Sequence, residues 1–241
     1  MSARTDELAA NLQAVEARLT AACAAAGRPR KEVTLIAVTK TFPIADVEAL
    51  AGLGVRHFGE NRDQDARVKA AAMPSVRWHF VGRLQRNKCR SVATYADAVH
   101  SVDRVELAEA LAEGAARSGR LIDVLVQVSV ADSPAVDSGG TGRPGGRGGA
   151  EPADVPGIAA ACAGAAYLRL SGVMAVAPQD GDPDRAFTRL AEMAADLRST
   201  YPRADAVSAG MSGDLEAALR HGATHVRVGT ALLGSRKLPD G

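Results

Sequence analysis

Short apolar runs alternate with longer amphipathic segments along almost the whole chain. The runs are rich in β-branched residues, which is typical of strands that are buried on both faces. They cover residues 33–39, 56–59, 78–81, 98–102, 122–130, 167–176, 206–209 and 225–229. Most are separated by alanine- and leucine-rich segments with helical period, at 44–53, 62–72, 103–117, 184–199 and 213–221. Because strands that alternate with helices form parallel β-α-β units, the pattern predicts an α/β fold.

The number of predicted strands favours a closed barrel, since eight parallel strands close the (β/α)8 TIM barrel. One further amphipathic helix is predicted before the first strand, from residue 2 to about 27, where Gly27 and Pro29 end it. The alternative is a doubly wound open sheet, but no G-x-G-x-x-G follows the first strand. We therefore expect residues 1–241 to form a single domain, a TIM barrel with an extra N-terminal helix.

The composition narrows the possible functions. Lys and Arg number 29 against 28 Asp and Glu, which gives a formal net charge of +1, and aromatic residues make up 3%. Without a basic or aromatic excess we expect no nucleic-acid partner. No segment has the pattern of a signal peptide or a transmembrane helix, and the cysteines and histidines lack metal-ligand spacing. We expect a cytoplasmic protein with no membrane association and no metal.

One glycine-rich segment, residues 138–149, interrupts the alternation. It is too rich in glycine to pack, and we expect a mobile surface loop after the fifth strand. In a barrel this loop lies at the rim of the active face, so it is interpreted either as a lid or as an insertion without function.

Lys40 directly follows the first apolar run, at the strand end where a barrel carries its active face. A lysine amine in apolar surroundings favours its neutral form, which is a nucleophile for aldehydes. The alternative is a lysine that extends its ammonium group into solvent. Two more polar runs, at 57–61 and 78–88, are expected at the ends of strands two and three on the same rim.

Candidate anion-binding groups follow strands seven and eight. Ser208 and Gly210 lead to Ser212, which is a candidate N-cap of the helix at 213–221. In strand eight, alternation points Arg227 into the barrel, and backbone N–H groups and a hydroxyl follow at Gly229 and Thr230. Barrel enzymes frequently hold a phosphate between these two loops, so an amine opposite them indicates a phosphorylated aldehyde. The alternatives are a simple helix cap, a partner for a buried carboxylate and close packing at the glycine.

Six motifs together closely resemble the pyridoxal phosphate homeostasis proteins, the YggS/PROSC family. They are AVTK (37–40), FGEN (58–61), WHFVGRLQRNK (78–88), SGVMAV (171–176), SAGMSGD (208–214) and VRVGT (226–230). The resemblance runs in order from about residue 6 to 236. It implies the barrel of the N-terminal domain of alanine racemase, with pyridoxal 5′-phosphate (PLP) bound as an internal aldimine.

The resemblance also implies roles for individual residues. Lys40 would be the Schiff-base lysine, Arg227 would face the pyridine nitrogen, and Asn61 and Met174 would line the cofactor with His79 beside it. The phosphate would be surrounded by Ser208, Gly210, Ser212, Gly229 and Thr230. Two departures stand out: the insertion at 138–149 replaces a short polar loop ending in Lys-x-Gly, and Gly82-Arg83-Leu84-Gln85 replaces the usual Gly-Pro-Leu-Gln.

The resemblance implies a carrier that binds and releases PLP and transiently meets PLP-dependent apo-enzymes, without turnover and without catalytic residues. The alternative is a PLP-dependent amino-acid racemase of fold type III, which needs an acid/base on each face of the substrate Cα. Alanine racemase takes one of them, a tyrosine, from a second domain of the partner subunit. Here none of the three tyrosines, Tyr95, Tyr167 and Tyr201, lies at the C-terminal end of a predicted strand, and we expect a monomer. A third interpretation is an aldolase that uses Lys40 directly on a sugar phosphate.

Overall fold

The chain forms a closed barrel of eight parallel strands, in the order β1 to β8, with β8 paired to β1. The computed structural model describes residues 2–131, 148–178 and 180–234. The strands are β1 (Thr34–Val38), β2 (His57–Glu60), β3 (Arg77–Phe80), β4 (Ala98–Val102), β5 (Ile122–Gln127), β6 (Leu168–Met174), β7 (Ala206–Ser208) and β8 (His225–Val228). The predicted barrel is confirmed, and the open-sheet alternative is wrong. The single-domain assignment of residues 1–241 stays a prediction.

Helices surround the barrel in the alternation that the sequence predicts. They are α1 (Ala3–Ala25), α2 (Ile44–Gly52), α3 (Asp63–Ala72), α4 (Cys89–Val92), α5 (Val105–Ser118), α6 (Val155–Ala163), α7 (Pro183–Thr200), α8 (Leu215–Arg220) and α9 (Thr230–Leu233). The extra helix α1 begins where the Ser2 hydroxyl accepts a hydrogen bond from the Thr5 N–H, a common N-cap arrangement. Within the described ranges, no helix combines the length and the apolar content that crossing a membrane would take.

The sequence analysis missed helices α4, α6 and α9. Helix α6 contains Pro156 and Gly157, two residues that weaken a helical pattern, yet it buries Ile158 and Cys162 against the barrel. Strand β5 ends at Gln127, earlier than the predicted 130, although Val128 and Val130 remain buried. An apolar run therefore predicted burial correctly here but overestimated the length of the strand.

The segment after β5 returns to the barrel close to the point where it leaves. Ser129 N–H donates to Ala150 O (2.9 Å) and Ala150 N–H donates to Gln127 O (2.7 Å). Most of the predicted loop at 138–149, namely residues 138–147, lies outside the described residues. Ser129 and Ala150, which lie before and after the insertion, are therefore held together at the C-terminal end of β5.

The inside and the outside of the barrel wall differ in chemistry. Val226 and Val228 belong to the large apolar cluster between strands and helices. Arg227, between them, points inward and is buried together with His79, His100 and Ser208. The alternation predicted for strand eight is therefore confirmed, and the centre of the barrel is polar.

Candidate functional site

Lys40 lies at the C-terminal pole of the barrel, two residues beyond the end of β1. Its side chain is exposed, and its ammonium group has no hydrogen bond or ion pair with any other described residue. The expected apolar surroundings are therefore wrong, because the strand ends at Val38 and a turn carries Lys40 out of the core. The result is a free amine at the rim.

A buried polar cluster holds the backbone next to Lys40. Lys69 Nζ donates to Thr39 O (2.8 Å) and to Glu60 Oε1 (2.5 Å), and Thr39 Oγ1 donates to the same carboxylate oxygen (2.7 Å). All three side chains are buried, and Glu60 Oε2 has no hydrogen-bond partner in the described part of the chain. Because a buried ion pair is costly to break, this cluster ties the ends of β1 and β2 to α3.

The end of β8 packs directly against the end of β1. The strand register pairs Ala37 with Val228, so Gly229 comes beside Val38. A Cβ atom added to Gly229 would lie 3.3 Å from Val38 O. Lys40 and Gly229 therefore lie at the same pole, on neighbouring strands, as the sequence analysis expected.

The loops after β7 and β8 contact each other at this pole. Ala231 N–H donates to Ser212 Oγ (3.4 Å), and Arg227 N–H donates to Gly210 O (2.9 Å). Several backbone N–H groups of these loops find no acceptor among the described residues: those of Ser212, Gly213 and Gly229. Free backbone N–H groups in neighbouring loops can form an anion-binding concavity. This arrangement fits a phosphate group.

Ser212 is not the N-cap of the following helix, so that prediction is wrong. Helix α8 begins at Leu215 after Asp214, whose Oδ1 accepts from Met211 N–H (2.6 Å). This contact closes the loop on itself and delays the start of the helix. Gly210 has φ 86°, and a Cβ atom there would lie 2.8 Å from Ala218 Cβ, so the loop needs glycine at this point.

Arg227 is a buried cation held by neutral acceptors. Its Nη1 donates to Ser208 Oγ (2.6 Å) and its Nη2 to Ala175 O (2.8 Å). No carboxylate of the described residues lies within ion-pair distance of it, although the charge of Asp214 acts on it from farther away, so the alternative of a buried carboxylate partner finds no support. Burial lowers the pKa of Arg227 to about 10, and the guanidinium therefore stays charged at neutral pH.

His79 and Ser208 lie inside the barrel, below the rim. His79 Nε2 is 2.9 Å from His57 Nδ1, and its Nδ1 is 2.8 Å from His100 Nε2. Ser208 Oγ lies between His100 Nδ1 (2.9 Å) and Arg227. Both nitrogens of His79 and the Ser208 hydroxyl are thus engaged within the protein.

The positions expected for the histidines need correction. His57 is the first residue of β2 and His79 lies inside β3, so neither ends a strand at the rim. The sequence analysis also missed the inward-facing His100 and His225. The signal that could have found His225 is its position two residues before Arg227, on the same face of β8.

Asn61 and Met174 close two further strands at the C-terminal pole. Asn61 follows β2 and is partly buried, and a Cβ atom on Gly82 would lie 2.3 Å from Asn61 O. The loops after β2 and β3 therefore touch. Met174 is the buried last residue of β6 and pairs with Ser208 across the ladder. The described residues contain no group of three side chains suited to binding a metal ion.

Comparisons with known proteins show which proteins this chain is similar to. The family model "Alanine racemase, N-terminal domain" matches residues 10–237. The pyridoxal phosphate homeostasis protein of Mycobacterium bovis is 42% identical over 253 residues, which cover 98% of this chain and 95% of that protein. The structure of PipY from Synechococcus elongatus with PLP bound has a TM-score of 0.77 and 32% identity, and it covers 94% of this chain and 100% of that one.

An enzyme shares the fold at lower identity. The alanine racemase from Streptomyces coelicolor has a TM-score of 0.73 and 21% identity, and the match covers 95% of this chain but 58% of the racemase. Identity at this level shows the fold alone. The curated relatives at 34 to 42% identity are named for PLP homeostasis and not for an enzymatic reaction.

Proposed function

The chain belongs to the pyridoxal phosphate homeostasis protein family, and from this premise we propose that it carries PLP, bound covalently to Lys40 as an internal aldimine. Members of this family are homeostasis proteins rather than enzymes, although they share the alanine racemase fold. The observation that carries the proposal is the free Lys40 amine beside loops with unpaired backbone N–H groups. We place the protein in the cytoplasm, as a monomer that transiently meets PLP-dependent apo-enzymes.

Each part of the site has one role in binding. PLP supplies an aldehyde, with which the Lys40 amine condenses to form a C=N bond and release one water molecule. The two loops after β7 and β8 hold the phosphate through Gly210, Ser212, Gly229 and Thr230. Asn61 and Met174 would flank the ring of PLP, and His79, which lies inside the barrel, would be beneath it.

Arg227 would face the pyridine nitrogen of bound PLP and would donate a hydrogen bond to it. Because a guanidinium keeps its own proton, the ring nitrogen stays unprotonated and PLP remains a weak electron sink. The exposure of Lys40 supports release, since water and incoming amines can reach its Nζ atom.

The first test is Lys40→Ala. We expect the wild-type protein to be yellow with PLP and to give a stable adduct after borohydride reduction, which mass spectrometry locates on Lys40. The variant should lose both signals. The control is Lys31→Ala, because Lys31 is also an exposed lysine and precedes the opposite end of β1. An unchanged spectrum in Lys40→Ala would refute the assignment.

A transfer assay separates the carrier from the racemase. PLP-loaded protein should restore activity to an apo-enzyme that depends on PLP, while protein loaded but reduced with borohydride should not. Steady exchange of the Cα proton of alanine or serine, at a typical enzymatic rate of about 1 s⁻¹ or more, would instead establish an enzyme.

A further inference from the structure

Three histidines form a continuous hydrogen-bonded chain across the inside of the barrel, which we call the histidine chain: His57, His79 and His100. His57 Nδ1 is 2.9 Å from His79 Nε2, and His79 Nδ1 is 2.8 Å from His100 Nε2. The chain continues from His100 Nδ1 to Ser208 Oγ (2.9 Å) and from there to Arg227 Nη1 (2.6 Å). It runs from half-buried His57, at the N-terminal end of β2, to the cation below the proposed cofactor.

Arg227 determines the direction of every hydrogen bond in this chain. A guanidinium has donors only, so Ser208 Oγ accepts from Arg227. The serine proton then goes to His100 Nδ1, because Ser208 Oγ has no other hydrogen-bond partner among the described residues. If His100 donated instead, the buried serine proton would have no acceptor, which costs about 1–3 kcal/mol.

The other hydrogen bonds of the histidine chain have the same direction, with the donor on the side of Arg227. His100 accepts at Nδ1, so its proton is on Nε2 and is donated to His79 Nδ1. By the same reasoning, His79 carries its proton on Nε2 and donates to His57 Nδ1. Burial is the main reason that the pKa values of His79 and His100 lie well below the usual range, so both rings are neutral. A single tautomer, protonated at Nε2, follows for all three rings.

This direction stabilises a cation whose hydrogen-bond acceptors among the described residues, Ser208 Oγ and Ala175 O, are both neutral. In the histidine chain, each Nδ1 lone pair points towards Arg227 and each Nε2–H group points away from it. Hydrogen bonds aligned in this way polarise one another and strengthen the acceptor at the end of the row, which here is Ser208 Oγ. A row in the opposite direction would aim N–H groups at the guanidinium.

We propose that His57, His79 and His100 act through Ser208 as positioning residues that orient the Arg227 guanidinium towards the C-terminal pole. This rests on the proposed function, because the group that Arg227 would meet there is the pyridine nitrogen of PLP. Ser208 then serves the arginine rather than the phosphate. The consequence is that the N-terminal half of the barrel interior contributes to a cofactor site at the opposite pole.

The test without cofactor is the tautomeric state of the histidines, read from two-bond proton–nitrogen NMR correlations of ¹⁵N-labelled protein. We expect His57, His79 and His100 to be protonated at Nε2 only. Ser208→Ala removes the donor to His100 Nδ1 and should give His100 a mixture of tautomers, while Ser208→Thr keeps the hydroxyl and should restore the wild-type pattern. His225 serves as an internal control, since its ring contacts the chain without a hydrogen bond to it.

His57→Ala is the matched variant at the other end of the chain. Water can replace a half-buried ring, and Arg227 still fixes the direction, so His79 and His100 should keep their tautomers. If His57→Ala changed the tautomers of His79 and His100 and Ser208→Ala left them unchanged, His57 and not Arg227 would determine the direction of the hydrogen bonds. That result would contradict the proposal. Protonation at Nδ1 in the wild-type protein would overturn the proposal directly.

Titration with PLP provides the second readout. Ser208→Ala should raise the Kd for PLP about fivefold, because it removes the acceptor that positions Arg227, and it should shift the absorbance maximum of the bound cofactor. Wild-type protein that fails to bind PLP would refute the proposed function and leave the tautomer result standing. Wild-type binding together with an unchanged Kd and spectrum in Ser208→Ala would refute the positioning role alone.

Discussion

Thr41, the residue after Lys40, has a backbone φ of 69°, and it is the one non-glycine residue with positive φ in the described ranges. A β-branched side chain in this left-handed conformation costs about 1–2 kcal/mol. The turn is closed by Phe42 N–H, which donates to Thr39 O (3.1 Å). Strain of this kind persists where the surrounding structure imposes it, and here the imposed turn sets the position of Lys40.

A prediction at this scale concerns Gly82, which packs on the backbone of Asn61. Because a Cβ atom would lie 2.3 Å from Asn61 O, Gly82→Ala must displace Asn61. We expect it to lower the free energy of unfolding by about 1–3 kcal/mol and to weaken PLP binding. Gly157→Ala is the control, since nothing lies within 4 Å of its Cβ position in α6, and it should stabilise by up to about 1 kcal/mol. Urea denaturation and PLP titration measure both effects, and wild-type values for Gly82→Ala would contradict the packing argument.

Among the helices, α1 has a role that its position before the barrel does not suggest. Arg18 Nη1 donates to Ser212 O (2.7 Å), and Asn11 Nδ2 donates to Leu232 O (3.1 Å). Arg4 Nη2 also donates to Leu233 O (3.0 Å). Helix α1 therefore holds the segments after β7 and β8, which supply the backbone N–H groups of the proposed phosphate site.

We predict that Arg18→Ala weakens PLP binding more than it weakens the fold. The ion pair of Arg18 with Glu216 is partly exposed and contributes at most about 1 kcal/mol. The contact with Ser212 O, in contrast, positions the loop after β7, which belongs to the proposed phosphate site, so its loss should raise the Kd for PLP several-fold. Arg30→Ala is the matched control, because Arg30 pairs with Glu16 of the same helix and also donates to a carbonyl, that of Val33, far from the rim. Equal Kd values for the two variants would show that α1 does not support the loop.

At the scale of the whole molecule, the barrel has an apolar outer core and a polar centre. Gly59 makes room in that centre, since a Cβ atom there would lie 3.0 Å from Ile36 Cγ2. The centre holds His79, His100 and His225, and burial is the first cause of the lowered pKa of each of these rings. The polar centre therefore depends on imidazoles that stay neutral.

Because the buried imidazoles must stay neutral, we predict that the free energy of unfolding falls when the pH falls. Histidine in the unfolded chain takes up a proton near pH 6.5, whereas His225 in the folded protein has a pKa of about 4. Between these values the unfolded state binds more protons, so stability is full above pH 6.5 and is lost towards pH 4, by about 3 kcal/mol for His225 alone. Urea denaturation between pH 7.5 and 5 measures the loss, which His225→Gln should reduce. A stability that is constant over this range would contradict the assignment of neutral buried histidines.

Local patterns in the sequence determine the strand and helix alternation, the barrel, the inward direction of Arg227 and the shared pole of Lys40 and Gly229. These follow from side-chain periods within each element and from the parallel order of the strands, neither of which needs a distant contact. The resemblance of the sequence to a known family also predicts the identity of the cofactor, PLP.

Only the tertiary structure decided the exposure of Lys40, the hydrogen bonds between α1 and the segments after β7 and β8, and the histidine chain. The bond from Arg18 to Ser212 spans 194 residues and that from His100 to Ser208 spans 108. Such contacts form because the barrel closes and brings distant strands together. The sequence of each strand does not by itself indicate which residues it will meet across the interior.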